Sequence, residues 1–303
     1  MESDFILSAK LWESSRDQQD WKDAKQAISK TGMGLLKQSP AHFMEREPFI
    51  ETPEILFGRA YHTFILQPDQ FEKEYFILDD TEIIEELKAE GAKSPRATNA
   101  FKHWMGIQQD KAEGKTILSA DDEKRLVAMR ERLLNHDYVR MLLSSGTAEQ
   151  GIMGELETTA GKIGVKFIPD MRNDIKHICI ELKTTVRASK LDFPKEAANY
   201  DYHIQAAFYA DMLELFYGDK RRVDFYFIAQ EKKPPYAFNI FEASPQFIGQ
   251  GRYEYEMLLQ LYKHCLDTNT WPGYQVFCPN RYGILELDLP KWSIQPLDYF
   301  IYK

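Results

Sequence analysis

Apolar residues recur with different spacings in the two halves of the chain. In the first half they recur three to four positions apart, which is typical of amphipathic helices. This spacing predicts helices over 20–38, 53–67, 81–90 and 97–113, and a long helix from Ser119 to about Leu143. From Gly151 onward, β-branched residues and glycine become frequent, and the pattern predicts strands near 152–158, 162–170 and 176–184.

The connections between these three strands are too short for crossover helices, so we expect antiparallel hairpins with turns at 159–161 and 173–174. The later elements are a helix over 202–216, strands over 222–230 and 236–243, a helix over 245–267 and a short strand over 283–289. Together they predict an α+β fold with a mixed central β-sheet flanked by helices.

The sequence contains no internal repeat, low-complexity tract or long linker. We therefore expect 1–303 to form a single domain, mainly helical over 1–148 and sheet-containing over 149–303. No window approaches eighteen uninterrupted apolar residues and the first residues lack the features of a signal peptide, so we expect a cytoplasmic protein without a membrane span.

The net charge of −9 argues against a non-specific nucleic-acid binder, which usually carries a basic excess. It leaves room for an enzyme whose carboxylates hold a cation and whose basic surface is local. The three cysteines form no CxxC pair, so neither a zinc knuckle nor an iron–sulfur cluster is expected.

Opposite charges end the most strand-like segment of the chain. The apolar run at 178–180 is followed by Glu181 and Lys183, whose side chains share one face of a strand. A hairpin would return Asp170 to the same end of the sheet. Paired carboxylates suit Mg²⁺, and a neighbouring lysine can orient a water or steady a phosphate. An exposed strand end with a Glu/Lys pair explains the same three residues.

Two helices carry further polar residues with two readings each. Gln205 and Tyr209 lie four positions apart, on one helix face, where they can edge the core or the site. His62 can be a metal ligand or a hydrogen-bonded core histidine. Gly58, one turn earlier, costs about 1 kcal/mol relative to alanine in a helix interior, which suggests close approach of another element.

Taken in order, several segments resemble the PD-(D/E)XK (restriction-endonuclease-like) nuclease superfamily, and within it the exonuclease VIII (RecE-type) exodeoxyribonucleases of phages and prophages. The segments span most of the chain: LLKQSPAHF (35–43), LFGRAYHTFILQPDQFEKEY (56–75), GVKFIPD (164–170), IELKTT (180–185), YDYHIQAAFYADML (200–213), WPGY (271–274) and LPKW (289–292).

The resemblance implies a role for each matching residue. His62, Asp170, Glu181 and the carbonyl of Leu182 would be metal ligands. Lys183 would position the attacking water, Gln205 would hold the site or the scissile strand, and Tyr209 would support it. Glu155 is a further acidic group that could join them.

The resemblance also implies an activity. It is Mg²⁺-dependent hydrolysis of linear double-stranded DNA, 5′→3′, leaving 3′ single-stranded tails for recombination, with Mn²⁺ as a substitute and two ions about 4 Å apart. The implied partners are duplex DNA ends, other copies of the chain in a ring, and a single-strand annealing protein. The alternatives are an endonuclease or single-strand nuclease on the same fold, a catalytically inactive DNA-binding protein, and a scaffold whose side chains lie too far apart to share an ion.

Overall fold

A five-stranded mixed sheet is the largest sheet in the computed structural model, which describes residues 4–16, 18–48, 50–219, 221–274 and 284–290. The first half of the chain is mainly helical. Its elements are β1 (Ile6–Glu13), α1 (Gln19–Asp23), α2 (Lys30–Gln38), α3 (Pro40–Met44), α4 (Pro53–Leu66), α5 (Pro68–Glu74), β2 (Tyr75–Leu78), α6 (Thr81–Ala89), α7 (Asn99–Lys111), β3 (Thr116–Ser119), α8 (Ala120–Leu134) and α9 (Asp137–Leu143).

The second half supplies most of the strands. Its elements are β4 (Thr147–Ala148), β5 (Ile152–Thr158), β6 (Gly161–Phe167), β7 (Met171–Asn173), β8 (Ile178–Thr185), α10 (Phe193–Asn199), α11 (Tyr202–Tyr217), β9 (Asp224–Glu231), β10 (Phe238–Glu242) and α12 (Pro245–Thr268). The α+β fold with a mixed sheet is confirmed.

The strand order of the large sheet is β10-β9-β8-β7-β4, in which β8 and β9 are parallel and the other neighbours are antiparallel. The chain crosses from β8 to β9 through α10 and α11, as a parallel pair requires. Strands β1, β5 and β6 form a separate antiparallel sheet, and β2 and β3 a small parallel one.

Strand β8 is buried because apolar clusters cover both of its faces. Cys179 packs in the cluster that includes α11 and α12, whereas Ile180 and Leu182 pack in the cluster that includes α4 and α8. A strand covered on both sides reads as a continuous apolar run, which explains the sequence that precedes Glu181.

The helix predicted over 20–38 is wrong in its middle. Helices α1 and α2 are separated by a turn at 25–26 and a short extended stretch in which the Ile28 N–H donates to the Gly164 carbonyl at 2.9 Å. Ser29 then caps α2 by accepting from the Gly32 N–H. The extended stretch is favoured because its backbone groups are satisfied by β6 and by a cap.

The long helix predicted from Ser119 to Leu143 is also wrong, since it breaks between α8 and α9. His136 caps α9 by accepting from the Val139 N–H, so a second helix start lies inside the periodic run. Within the tail, residues 284–290 form no strand, so the strand predicted over 283–289 is wrong for that part.

Two of the sequence segments singled out above contact each other. Trp271 stacks on Phe43, with ring centroids 5.4 Å apart, and the Ala41 N–H donates to the Pro272 carbonyl. Lys291 and Trp292 lie outside the described residues. In the part of the chain that is described, no helix is both long and apolar enough to span a bilayer.

Candidate active site

Asp170 lies where the chain passes from one sheet to the other. Strand β6 ends at Phe167, and the antiparallel partner of β8 is the short strand β7, not the end of β6 as the sequence suggested. Met171 pairs with Ile180, which brings Asp170 beside Glu181. The hairpin therefore returns Asp170 to this end of β8 as expected, through a different strand.

Backbone groups hold both carboxylates. The Asp170 N–H donates to Glu181 Oε1 at 3.1 Å, and the Leu182 N–H donates to Asp170 Oδ2 at 2.7 Å. Asp170 is 8% exposed and Glu181 only 1%. Carboxylates that are buried to this degree require hydrogen-bond partners. Here Glu181 accepts from the backbone of Asp170, and Asp170 accepts from the backbone of Leu182, the residue after Glu181.

Lys183 and Gln205 converge on the second oxygen of Glu181. Lys183 Nζ lies 2.9 Å and Gln205 Nε2 lies 2.6 Å from Glu181 Oε2. The lysine reaches it because residues two apart in β8 share a face, and the amide reaches it from the first turn of α11. Tyr209, one turn further, is buried and packs against Phe167, with ring centroids 5.0 Å apart, so it anchors this part of α11 in the core.

His62 approaches Asp170 from helix α4, on the other side. Its Nδ1 lies 3.2 Å from Asp170 Oδ1 and 3.9 Å from Glu149 Oε1. Glu149 was not anticipated from the sequence. It lies in the loop before β5 with a φ of +52°, and its N–H donates to the Asp170 carbonyl at 3.0 Å. An isolated glutamate in a loop gives no periodic signal.

Burial and neighbouring charges together set the pKa values of the groups in this site. Burial favours the neutral form of His62, but Asp170 outweighs it and raises the His62 pKa to about 10. Burial and the adjacent Asp170 raise the pKa of Glu181 to about 7 in spite of Lys183. Burial also disfavours charge on Asp170, yet His62 and Lys183 bring its pKa below the ordinary value.

The donors at this end of the sheet fit a divalent cation. One ligand atom each from His62, Glu149 and Asp170 lies within 4.8 Å of the other two, and we call these three residues the sheet cluster. Glu181 adjoins it through Asp170. Carboxylate oxygens suit Mg²⁺ and Mn²⁺, and an imidazole nitrogen suits the softer of the two. Two adjacent carboxylates also repel each other, and a cation would relieve that repulsion.

A second group of similar composition lies at the start of α11. Asp201, His203 and Glu254 also bring ligand atoms within 4.8 Å of one another, and we call them the helix cluster. Lys37 Nζ already binds Asp201 Oδ1 at 2.6 Å and Glu254 Oε2 at 2.7 Å. The chain's own ammonium group therefore supplies the positive charge there.

The structure does not bear out two further expectations from the sequence, which concern Glu155 and Gly58. Glu155 is half exposed and pairs with Lys162 at 2.8 Å across the hairpin of β5 and β6, so it does not join the sheet cluster. The helix that carries His62 does approach β8, but an added Cβ at Gly58 would meet only Thr184 Oγ1, at 3.7 Å. That is an ordinary contact, so the expected close approach is not what places glycine there.

Two solved structures resemble this chain to different degrees. A crystal structure from Eubacterium rectale, of a protein provisionally named an exonuclease, aligns with a TM-score of 0.57 and 17% identity over 96% of this chain and 98% of that chain. It shows a shared fold. The crystal structure of SSO0001 aligns with a TM-score of 0.28 and 13% identity, over 78% of this chain and 88% of that one. No curated protein matches the chain at a significant level.

A family model described as a PDDEXK-like domain of unknown function (DUF3799) matches residues 29–280, which include the sheet cluster, Glu181, Lys183 and Gln205. The match spans most of the sequence, and the mixed α+β fold is consistent with it. The chain therefore belongs to the PDDEXK-like family DUF3799.

Proposed function

We propose that this protein is a metal-dependent exodeoxyribonuclease that hydrolyses linear double-stranded DNA from its 5′ ends and leaves 3′ single-stranded tails. The observation that carries the proposal is the convergence of Asp170, Glu181 and Lys183 at one end of β8, with His62 beside Asp170. Membership of a PDDEXK-like family and the fold of a provisionally named exonuclease support a nuclease.

The cation in this proposal is Mg²⁺, with Mn²⁺ as a substitute. The residues that would hold it are the sheet cluster and Glu181, together with the carbonyl of Leu182. The backbone N–H of Leu182 already donates to Asp170. When bound, a divalent cation neutralises charge on the phosphate and makes water a better nucleophile. Two ions, as the resemblance implies, would draw on the same set of carboxylates.

The chain's own contribution is to hold the carboxylates before any substrate arrives. Leu182 N–H occupies Asp170 Oδ2, which leaves Oδ1 facing His62. Gln205 and Lys183 occupy Glu181 Oε2. Groups that are already in place need little reorganisation when charge develops in the transition state, and such preorganisation is a large part of catalysis.

Lys183 acts in this proposal as a hydrogen-bond donor. Burial disfavours its charge, but Glu181 and Asp170 outweigh burial and raise the Lys183 pKa above its ordinary value. The side chain is therefore a protonated ammonium at neutral pH in the metal-free protein. A protonated lysine can orient the attacking water or bind a non-bridging phosphate oxygen, and it cannot remove a proton.

The finer features of the proposal rest on the sequence resemblance. We propose that the protein acts as an exonuclease VIII-type enzyme, that copies of the chain form a ring around DNA, and that a single-strand annealing protein takes over the 3′ tails. A ring would reconcile the net charge of −9 with DNA binding, because only its inner lining needs to be basic.

The test is digestion of linear duplex DNA labelled at one 5′ or 3′ end, with a covalently closed circle as the control substrate. Each reaction contains Mg²⁺ or an excess of chelator. Lys183→Ala runs beside the wild type, and Lys162→Ala serves as a matched control, because Lys162 is an exposed lysine paired with Glu155.

We expect metal-dependent loss of the linear DNA from its 5′ ends, an intact circle, full activity in Lys162→Ala and none in Lys183→Ala. Cutting of the circle would replace the proposal with an endonuclease on the same fold, and digestion of single strands alone would replace it with a single-strand nuclease. No digestion by the wild type would favour a DNA-binding protein without turnover.

A further inference from the structure

Lys30 is a cation close to the proposed site that has no anionic partner among the described residues. It is the first residue of α2 and is partly buried. Its Nζ donates to the Tyr200 carbonyl at 2.7 Å and lies 5.8 Å from the centroid of the Tyr202 ring. No described carboxylate lies within ion-pairing distance of it.

Lys183 shares the same aromatic ring. Its Nζ lies 5.0 Å from the Tyr202 centroid, so one tyrosine brings the ammonium groups of Lys30 and Lys183 into a single neighbourhood. Burial and the like charge of Lys183 lower the pKa of Lys30, although Asp201 and Glu181 act in the opposite direction. A desolvated cation beside another cation is unfavourable unless an anion joins them.

The backbone fixes Lys30 relative to the acidic residues. Ile28 forms two hydrogen bonds with β6: its N–H donates to the Gly164 carbonyl, and its carbonyl accepts from the Lys166 N–H at 3.0 Å. Strand β6 leads directly to Asp170. Lys30 is thus placed by the strand that also places a carboxylate of the site, and its position is not that of a loose surface lysine.

Lys37 on the same helix shows what a purely structural lysine looks like here. Its ammonium group binds both Asp201 and Glu254, and its hydrogen-bonding needs are met within the chain. Lys30 and Lys37 differ in the feature that matters for an anionic ligand, since one is already neutralised and the other is not.

We propose that Lys30 binds a phosphate of the DNA strand next to the phosphate that is cleaved, with Tyr202 holding its ammonium group in line with that of Lys183. This inference rests on the proposed function. A phosphodiester chain carries successive negative charges, so the phosphate next to the cleaved one would neutralise Lys30, whereas Lys183 is already paired with Glu181. Lys30 is then a substrate-binding residue outside the matched Asp and Glu-x-Lys segments.

The test measures how salt affects the binding of duplex DNA by wild type, Lys30→Gln, Lys30→Arg and Lys37→Gln. Anisotropy of a labelled 5′-phosphorylated duplex is recorded at several KCl concentrations with constant Ca²⁺, and gels confirm that the duplex stays intact. Losing one phosphate contact reduces the slope of log K against log [salt] by about 0.7–0.9. Melting temperatures show whether each variant is folded.

We expect that smaller slope in Lys30→Gln alone, with wild-type slopes in Lys30→Arg and Lys37→Gln. In Mg²⁺, we expect Lys30→Gln to raise KM several-fold while kcat changes little. Equal slopes in Lys30→Gln and wild type would overturn the inference, as would a fall in kcat with KM unchanged. If Lys30→Gln does not fold, Lys30→Met takes its place: a smaller slope in that variant supports the contact, and a wild-type slope overturns the inference.

The outcome is separable from that of the proposed function. A wild type that cleaves DNA, with no effect of Lys30→Gln on the slope, contradicts only the role of Lys30. A wild type that neither binds nor cleaves duplex DNA contradicts the proposed function and this inference together.

Discussion

Two clusters of described residues have the same ingredients and different fates. Each brings one histidine and two carboxylates within 4.8 Å: His62, Glu149 and Asp170 in the sheet cluster, and Asp201, His203 and Glu254 in the helix cluster. Composition and spacing do not distinguish them. What distinguishes them is where the compensating positive charge comes from.

In the helix cluster the chain supplies a lysine. Lys37 bridges Asp201 and Glu254, and His203 Nε2 lies 3.1 Å from Glu254 Oε1, which ties α2 to the start of α11 and to α12. The only basic group within the sheet cluster is His62, and the nearby Lys183 is paired with Glu181. A set of carboxylates becomes a structural joint when the fold fills it with an ammonium group, and it stays available to a cation when the fold does not.

The largest effect is expected from charge removal in the sheet cluster. Asp170→Asn should abolish the rise in melting temperature that Mn²⁺ or Mg²⁺ gives the wild type, and should lower nuclease activity at least about 100-fold, since even residues behind metal ligands are worth 10–100-fold. Glu254→Gln is the matched control in the helix cluster. Thermal unfolding with titrated metal measures the first effect and end-labelled DNA the second.

Equal loss of the metal response in Asp170→Asn and Glu254→Gln would erase the distinction between the clusters. Loss in Glu254→Gln alone would reverse it and would move the cation to α12.

The second prediction concerns how closely α11 and α12 pack at the helix cluster. Gly251 lies on α12 near the helix cluster, and an added Cβ would lie 1.9 Å from the His203 carbonyl oxygen. Gly251→Ala should lower the free energy of unfolding by at least about 1–3 kcal/mol, the range for overpacked interiors. Urea unfolding measures it. A variant as stable as the wild type would show that α11 and α12 can separate without cost.

The third prediction concerns pH and the helix cluster. Burial opposes the charge on Glu254, but Lys37 and Gln250 outweigh it and lower its pKa from 4.5 to about 2. A carboxyl whose pKa is lower in the folded state stabilises the fold at pH values above its unfolded pKa. That contribution is lost as the pH falls from about 4.5 to about 2.

Lys37→Met should therefore cost about 1 kcal/mol at pH 7, because partly exposed ion pairs are worth little, and the difference from wild type should shrink below pH 4. Chemical denaturation across this pH range is the measurement. A constant difference at all pH values would indicate that Lys37 acts through packing.

The sequence predicts the core of the site because a strand has a simple geometry. Residues two apart share a face, so Glu181 and Lys183 had to be neighbours, and the structure places their charged atoms 2.9 Å apart. A hairpin of suitable length returned Asp170 to the same end. The position of Gln205 likewise follows from helical periodicity shortly after that strand.

The sequence does not predict features that depend on contacts between distant segments. Glu149 reaches the site through a left-handed loop conformation and one backbone bond to Asp170. The break at Ile28 exists because β6 pairs with it, and strand β1 exists because β5 does. Because of that break, α2 begins at Lys30, which places Lys30 at the start of a helix. Periodicity within a segment carries no information about such partners.

The smallest effect is expected at Gly58. It is a glycine in α4, the helix that carries His62 of the sheet cluster, just as Gly251 is a glycine in α12, the helix that carries Glu254 of the helix cluster. An added Cβ would meet Thr184 Oγ1 at 3.7 Å and no other atom within 4 Å outside the neighbourhood of the glycine in its own helix. Alanine is favoured over glycine in a helix interior by up to about 1 kcal/mol. Gly58→Ala should therefore stabilise the protein by that amount in urea unfolding and leave metal-dependent activity intact. A destabilised Gly58→Ala would show that α4 packs against β8 as closely as α12 packs against α11. The sheet cluster and the helix cluster would then differ only in the source of their compensating positive charge.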